Sequence, residues 1–433
     1  MSTPPIIQAL IDMVSMDGLN QAVAAAITAA PDFMAQSDSH EPAITNGEDF
    51  VKLATSLLQW VPTENKDDPT KVNATKVLDT ICLLYFVLDQ KPLLGLQNRV
   101  GPDAVGQPLT PFSQWIVDYA AQIGNYMNSP SSLTQESFQT FVNSAKYRTA
   151  ECIDPTGASF HCFNDFFSRR LAQPRTISNP NSNYTVVYPA DSAFDDAWTI
   201  DAQGNTTPTD DPHEISSKGF TYTIAQLLDN SQFASSFNNG VWAHSFLDTF
   251  NYHRMHSPVS GTVVEARVIQ AAAYLDVTVN PTTGKLKGRR KIGNSNITDR
   301  PRGGNPTLRD PKVTPQADDY SDYQFLQTRG LVVIDTSTSG QGDIGYVAVL
   351  PMGMAQVSSV NLEVSQGQVI KKGDPIAFFL FGGSDIVTVF GPQANVSPTD
   401  FQQYAVKPDQ DQGYNFYGST FVVCPTPPAA KNN

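Results

Sequence analysis

The chain has 433 residues, enough for two to three domains, and 40% apolar with 16% charged residues is the composition of a globular rather than a disordered protein. Its 28 Lys and Arg are outnumbered by 42 Asp and Glu, and the net charge of −14 argues against nucleic acid and against general attraction to anionic membranes. No stretch reaches the roughly 20 apolar residues of a membrane span, and Met1-Ser-Thr-Pro-Pro has no basic region before an apolar core, so neither a stable membrane anchor nor a signal peptide is expected.

The first 150 residues read as a helical N-terminal domain. Ile6 to Ala29, Glu48 to Trp60, Val72 to Leu88, Pro111 to Asn128 and Ser137 to Tyr147 repeat apolar residues at three- and four-residue spacing. Val77 to Leu88 contains Asp79 and Thr80 and reads as a buried helix. The four cysteines, Cys82, Cys152, Cys162 and Cys424, form no C-x-x-C and are expected reduced, which places the protein in the cytoplasm.

From Tyr184 onward short β-branched runs alternate with Gly and Asn turns: Tyr184 to Tyr188, Gly261 to Ile269, Leu331 to Ile334, Tyr346 to Leu350 and Ile386 to Phe390. This predicts a mostly antiparallel β domain over 151–433 and an α+β chain. Glycines six residues apart in Val364 to Phe378 suggest barrel-like hairpins, because glycine accepts the positive φ of tight turns. Lys285 to Lys312 holds nine Lys or Arg and two Asp, a local charge of +7, and reads as a long surface loop or a lid.

Three features could carry chemistry. His253 and His256 are three apart before Pro258 and Gly261, which sets them at a strand entry; without an accompanying Glu or Cys they do not read as metal ligands. Gly382-Gly383-Ser384 lies between two apolar strands, as a plain hairpin turn or as a serine that another group must approach closely. Asp191 follows a strand in Val187-Tyr-Pro-Ala-Asp-Ser192. An acid, a histidine and a serine are the parts that make a hydroxyl nucleophilic at neutral pH.

Taken in order, these segments resemble the phosphatidylserine decarboxylase family, over about Phe160 to Phe390. Phe163-Asn-Asp-Phe-Phe-Ser-Arg-Arg-Leu171 looks like its entry motif. Pro189-Ala-Asp191 is similar to its Pro-Ala-Asp-Gly, and Lys218 to Leu228 to its Lys-Gly-x-x-Tyr segment. Tyr252-His-Arg-Met-His-Ser-Pro258 is close to its Tyr-His-Arg-x-His-x-Pro signature, and Gly382-Gly-Ser384 falls at its self-cleaving Gly-Ser-Thr.

The resemblance implies that Ser384 attacks the Gly383 carbonyl and that elimination splits the chain into residues 1–383 and 384–433. Ser384 then becomes a pyruvoyl cofactor, with no pyridoxal phosphate and no metal, and the two chains stay associated. His256, oriented by Asp191, is implied as the base, and His253 as the acid that protonates the product carbon. Ser192 stands where the family has Gly, and Asp385 where it has Thr; a carboxylate beside the scissile bond would slow cleavage or repel an anionic substrate. The expected helical N-terminus and missing anchor are similar to the soluble fungal branch, which decarboxylates free L-amino acids, tryptophan among them. A small aromatic amino acid is therefore the expected substrate, selected by the 285–325 region with Tyr320 and Phe325. A phospholipid substrate and a catalytically silent binding module are the alternatives.

Overall fold

A computed structural model of the protein describes residues 3–31, 34, 43–64, 76–98, 101–206, 222–279, 286–289, 325–355, 359–402 and 414–426. Among the described residues the α-helices are Pro5–Ala29, Gly47–Leu57, Lys76–Leu88, Pro111–Met127 and Gln135–Val142, followed by the short Phe163–Phe167 and Ile224–Leu227. Local chemistry sets their starts. The Asn46 side chain accepts the Asp49 N–H at 3.0 Å, and Thr110 accepts the Ser113 N–H at 3.2 Å just ahead of Pro111. Thr134 and Ser137 cap each other reciprocally. Lys76–Leu88 is a buried helix as expected, and among the described residues no helix is long and apolar enough to cross a membrane. All four cysteines are buried, and none is in a disulfide among the described residues.

The main sheet has eight antiparallel strands. Their spatial order is Val369–Ile370, Gly261–Ile269, Arg329–Asp335, Tyr346–Met354, Gly383–Phe390, Val241–Leu247, Ser192–Thr199 and Tyr414–Asn415. Both faces are covered. Val332, Val349, Ile386 and Ala243 share one hydrophobic cluster with Leu10, Phe86 and Trp115 of the helices, whereas Val333, Leu350, Val387 and Trp242 belong to a second cluster on the other face. Two buried faces explain why the central strands read as unbroken apolar runs.

The α+β reading holds, but the hairpins do not close into a barrel. Gly367 and Gly373 have φ of 88° and 89°, as their turn role required. The strand between them pairs with Gly261–Thr262 and ends the sheet, leaving it open. Of the basic segment, Leu286–Arg289 is a strand against Asp276–Val279 rather than loop; 290–312 and Tyr320 lie outside the described residues. So does the start of the Lys218 segment.

Candidate active site

Two strand pairings position the segments that carry Ser384, His253 and His256. In the main sheet Ser384 lies opposite Leu247 on one neighbour and Gly353 on the other. In a separate three-stranded sheet Pro375–Phe379 pairs with Arg254–His256, and the Phe379 N–H donates to the His253 carbonyl at 3.0 Å. The chain leaves Leu247 toward His253 and leaves Phe379 toward Ser384, so the two connections join the same pair of sheets. Gly382-Gly383-Ser384 is therefore a crossover between sheets and not a hairpin turn: Gly382, at φ 147°, makes the bend, and Gly383–Phe390 is already strand. A side chain at 382 would be strained there.

Ser384 is fully buried, and its Oγ has no hydrogen-bond partner. A buried hydroxyl normally finds one. An orphaned hydroxyl on the residue directly after a glycine carbonyl has the chemistry needed for attack on its own peptide bond, and a serine in that place fits a serine-derived pyruvoyl group.

His256 is buried and well defined. Its Nδ1 lies 2.7 Å from the Gly373 carbonyl oxygen, which can only accept, so Nδ1 carries the hydrogen. Nε2 is then the acceptor, and the Tyr252 hydroxyl donates to it at 3.2 Å. Burial pushes the imidazole down to about 4, the direction expected of a histidine held neutral.

Asp191 does not hydrogen-bond His256 directly, contrary to the sequence expectation. Its Oδ1 accepts Arg175 Nε at 3.1 Å and the Tyr417 backbone N–H at 3.0 Å, and its Oδ2 accepts Arg175 Nη2 at 2.5 Å. Burial raises its carboxyl, and Arg175 opposes the rise. The link is Tyr417, whose ring stacks on His256 at 3.7 Å with 4° between planes. Sequence spacing could not reveal Tyr417, which sits 33 positions after Ser384 on a late segment that returns to the sheet.

His253 is fully buried and stacks on Phe167 at 3.9 Å. The entry motif is scaffolding for this neighbourhood. Asn164 accepts the Phe381 N–H at 2.8 Å and donates to Asn128. Arg169 Nη2 donates to the carbonyls of Tyr147, Phe250 and Asn251, fixing the loop that delivers His253. Arg254 donates to the Ser168 carbonyl and pairs with Glu363. Trp60 of the helical region meets Phe381 edge-on at 5.4 Å. The Ser192 hydroxyl folds back on the Ala190 carbonyl at 3.2 Å. Phe325 is buried against Tyr222, at 4.2 Å between ring centroids.

The sequence reading singled out Asp385 but did not join it to His244 and Asp195. His244 Nδ1 is 2.9 Å from Asp195 Oδ2, and its Nε2 is 3.3 Å from Asp385 Oδ2, with all three side chains fully buried. Burial alone would lower this histidine; the two carboxylates outweigh it and lift the imidazole to about 9.

The family model for phosphatidylserine decarboxylase matches residues 163–422. The chain is 25% identical over 272 residues to the decarboxylase iboD of Amanita muscaria, covering 61% of this chain and 69% of that protein. It is 27% identical over 229 residues to the L-tryptophan decarboxylase of Psilocybe cubensis, covering 52% of this chain and 45% of that enzyme. It is 25% identical over 275 residues to a phosphatidylserine decarboxylase proenzyme of Chlamydia muridarum, covering 64% of this chain and 74% of that protein. With the matched region spanning more than half its length, the chain belongs to the phosphatidylserine decarboxylase family.

Proposed function

We propose that the protein is a pyruvoyl-dependent decarboxylase of free L-amino acids, matured by self-cleavage between Gly383 and Ser384. The observation that carries this reading is the buried, unpartnered Ser384 Oγ immediately after the Gly382–Gly383 crossover. Ser384 Oγ bonds to the Gly383 carbonyl carbon, its proton passes to the base, and the peptide C–N bond breaks as the amine is protonated. Removal of the Ser384 Cα proton then breaks the Cβ–Oγ bond and frees Gly383 as a carboxylate. The remaining 2-aminoacrylyl end takes up water and releases ammonia.

His256 is suited to the base role, because Gly373 holds its hydrogen on Nδ1 and leaves Nε2 basic. The pyruvoyl group supplies a ketone for the substrate amine and a conjugated carbonyl that accepts electrons as carbon dioxide leaves. His253, stacked on Phe167, is the candidate to return a proton to the substrate carbon.

The similarity to a fungal L-tryptophan decarboxylase supports a free amino acid, and the net charge of −14 disfavours an anionic lipid surface. A phospholipid substrate is the second reading, favoured by the similarity to the Chlamydia proenzyme. Carbon dioxide release assayed over a panel of L-amino acids and over phosphatidylserine vesicles tests both. Turnover of an aromatic amino acid, absent in Ser384→Ala, is expected. Turnover of the vesicles alone would replace the free-amino-acid reading with the lipid one, and release from neither would refute both.

A further inference from the structure

Asp385 directly follows the serine of the proposed cleavage site. Successive residues of a strand face opposite sides, so its carboxylate points away from the side of Ser384 Oγ. It enters an apolar layer, across from Met352 on one neighbouring strand and Phe246 on the other, two residues before Val387. A lone carboxylate in such a place is disfavoured unless it is paired.

The sheet supplies an ion-pair partner: His244 Nε2 lies 3.3 Å from Asp385 Oδ2, a contact of charge rather than an aligned hydrogen bond. The register sets Val387 opposite His244, which makes Asp385 and His244 diagonal neighbours on one face. The ladder between Ser192–Thr199 and Val241–Leu247 shifts between Phe194 and Asp196, leaving Asp195 as the extra residue of a bulge. Bulges re-aim a side chain; this one brings Asp195 Oδ2 to 2.9 Å from His244 Nδ1. The relay thus crosses three adjacent strands. Asp195 and His244 would fall in the large chain and Asp385 in the small one.

We propose that Asp195, His244 and Asp385 form a buried clamp that positions the scissile Gly383–Ser384 bond for self-cleavage and holds the new chain end in register afterwards. The proposal rests on the reading that the chain cleaves at this bond. It has a chemical reason. Elimination requires the Ser384 Cα–H bond to align with the Ser384 carbonyl, which accepts the developing charge. That carbonyl belongs to the planar amide joining Ser384 to Asp385, so fixing Asp385 fixes the plane. After cleavage Ser384 is a strand terminus, where ladder pairs fray unless tied down.

The clamp holds only while His244 is an imidazolium. Asp195 and Asp385 are the charged groups facing it from its two neighbouring strands, and Asp196 turns its carboxylate to the Ala197 N–H. Because the carboxylates raise the imidazole to about 9, the clamp is intact at neutral pH and is lost as pH rises through that value.

The test follows the full-length chain, made by cell-free synthesis, by intact mass from pH 6 to pH 10. In the unsubstituted chain the splitting rate should fall above about pH 9. In Asp385→Asn and Asp195→Asn, each with one carboxylate fewer, the fall should begin at least one pH unit lower, and splitting at pH 7 should be slowed tenfold or more. Unchanged rate and pH limb in the variants, or faster splitting in Asp385→Asn, would overturn the clamp. So would an unsubstituted chain that splits equally fast up to pH 10, a result that needs no variant to fold. An unsubstituted chain that splits at no pH would instead refute the cleavage reading.

Discussion

The His256 ring is enclosed by Tyr252 and Tyr417, and its burial favours the neutral imidazole, while the Gly373 carbonyl that accepts Nδ1–H opposes the shift without reversing it. With the ring held down to about 4, its Nε2 is available as a base throughout the neutral range. The same shift has a stability consequence. The unfolded chain takes up this proton near the ordinary value of about 6.5, so the contribution is full above that pH and is lost as pH falls toward 4. Tyr417 is the positioning residue that this arrangement adds to the family motifs. Tyr417→Ala should open the ring to water, move the acid limb of splitting upward from about 4, and slow splitting at pH 7 about tenfold, the worth of one aromatic pair. Tyr417→Phe keeps the stack and should stay within about threefold. An unmoved acid limb in the Ala variant, followed by intact mass across pH 3.5 to 7, would remove Tyr417 from this role. Asp191, His253, His256 and Ser384 were legible as candidates because each lies in a short local pattern. Tyr417 and His244 were not, since their roles depend on which distant strand lies beside them.

At the level of elements, the strand Gly261–Ile269 and the helix Pro111–Met127 matched their sequence ranges closely, because β-branched runs and apolar periodicity are local signals. Sheet order was not legible: Gly383–Phe390 pairs with Val241–Leu247, and nothing within either run names the other. The bulge at Asp195 is equally silent, being a property of two strands together. The entry motif gained a physical meaning only through its contacts. Arg169 spends one guanidinium nitrogen on three carbonyls that belong to the Tyr147 turn and the Phe250–Asn251 loop. Arg169→Ala would take this donor from one buried and two half-buried carbonyls and should cost about 3 kcal/mol in denaturant unfolding. Arg169→Lys, a point charge without the planar fork, should recover only part of this loss. A cost below about 0.5 kcal/mol, the scale of an ordinary surface substitution, would contradict the anchoring role.

On the scale of the molecule, residues 384–433 supply buried strand to the middle of the main sheet, between Tyr346–Met354 and Val241–Leu247. They also supply Tyr414–Asn415 at one edge, and Thr420–Val423 paired with Thr185–Val187. A fragment woven in at three places should remain bound after its one covalent link is cut. The two chains are expected to co-elute on native gel filtration and to separate only in denaturant; separation under native conditions would contradict this topology. The helical N-terminal region shares the hydrophobic cluster on one face of the sheet and reaches Phe381 through Trp60, so it supports the crossover that presents Ser384.

The mass of the small chain tests the central reading most directly. A purified preparation should contain a fragment of residues 384–433 lighter than its serine-initiated form by one ammonia, accompanied by a large chain ending at Gly383. A single full-length mass, or a fragment that still begins with serine, would contradict maturation through Ser384.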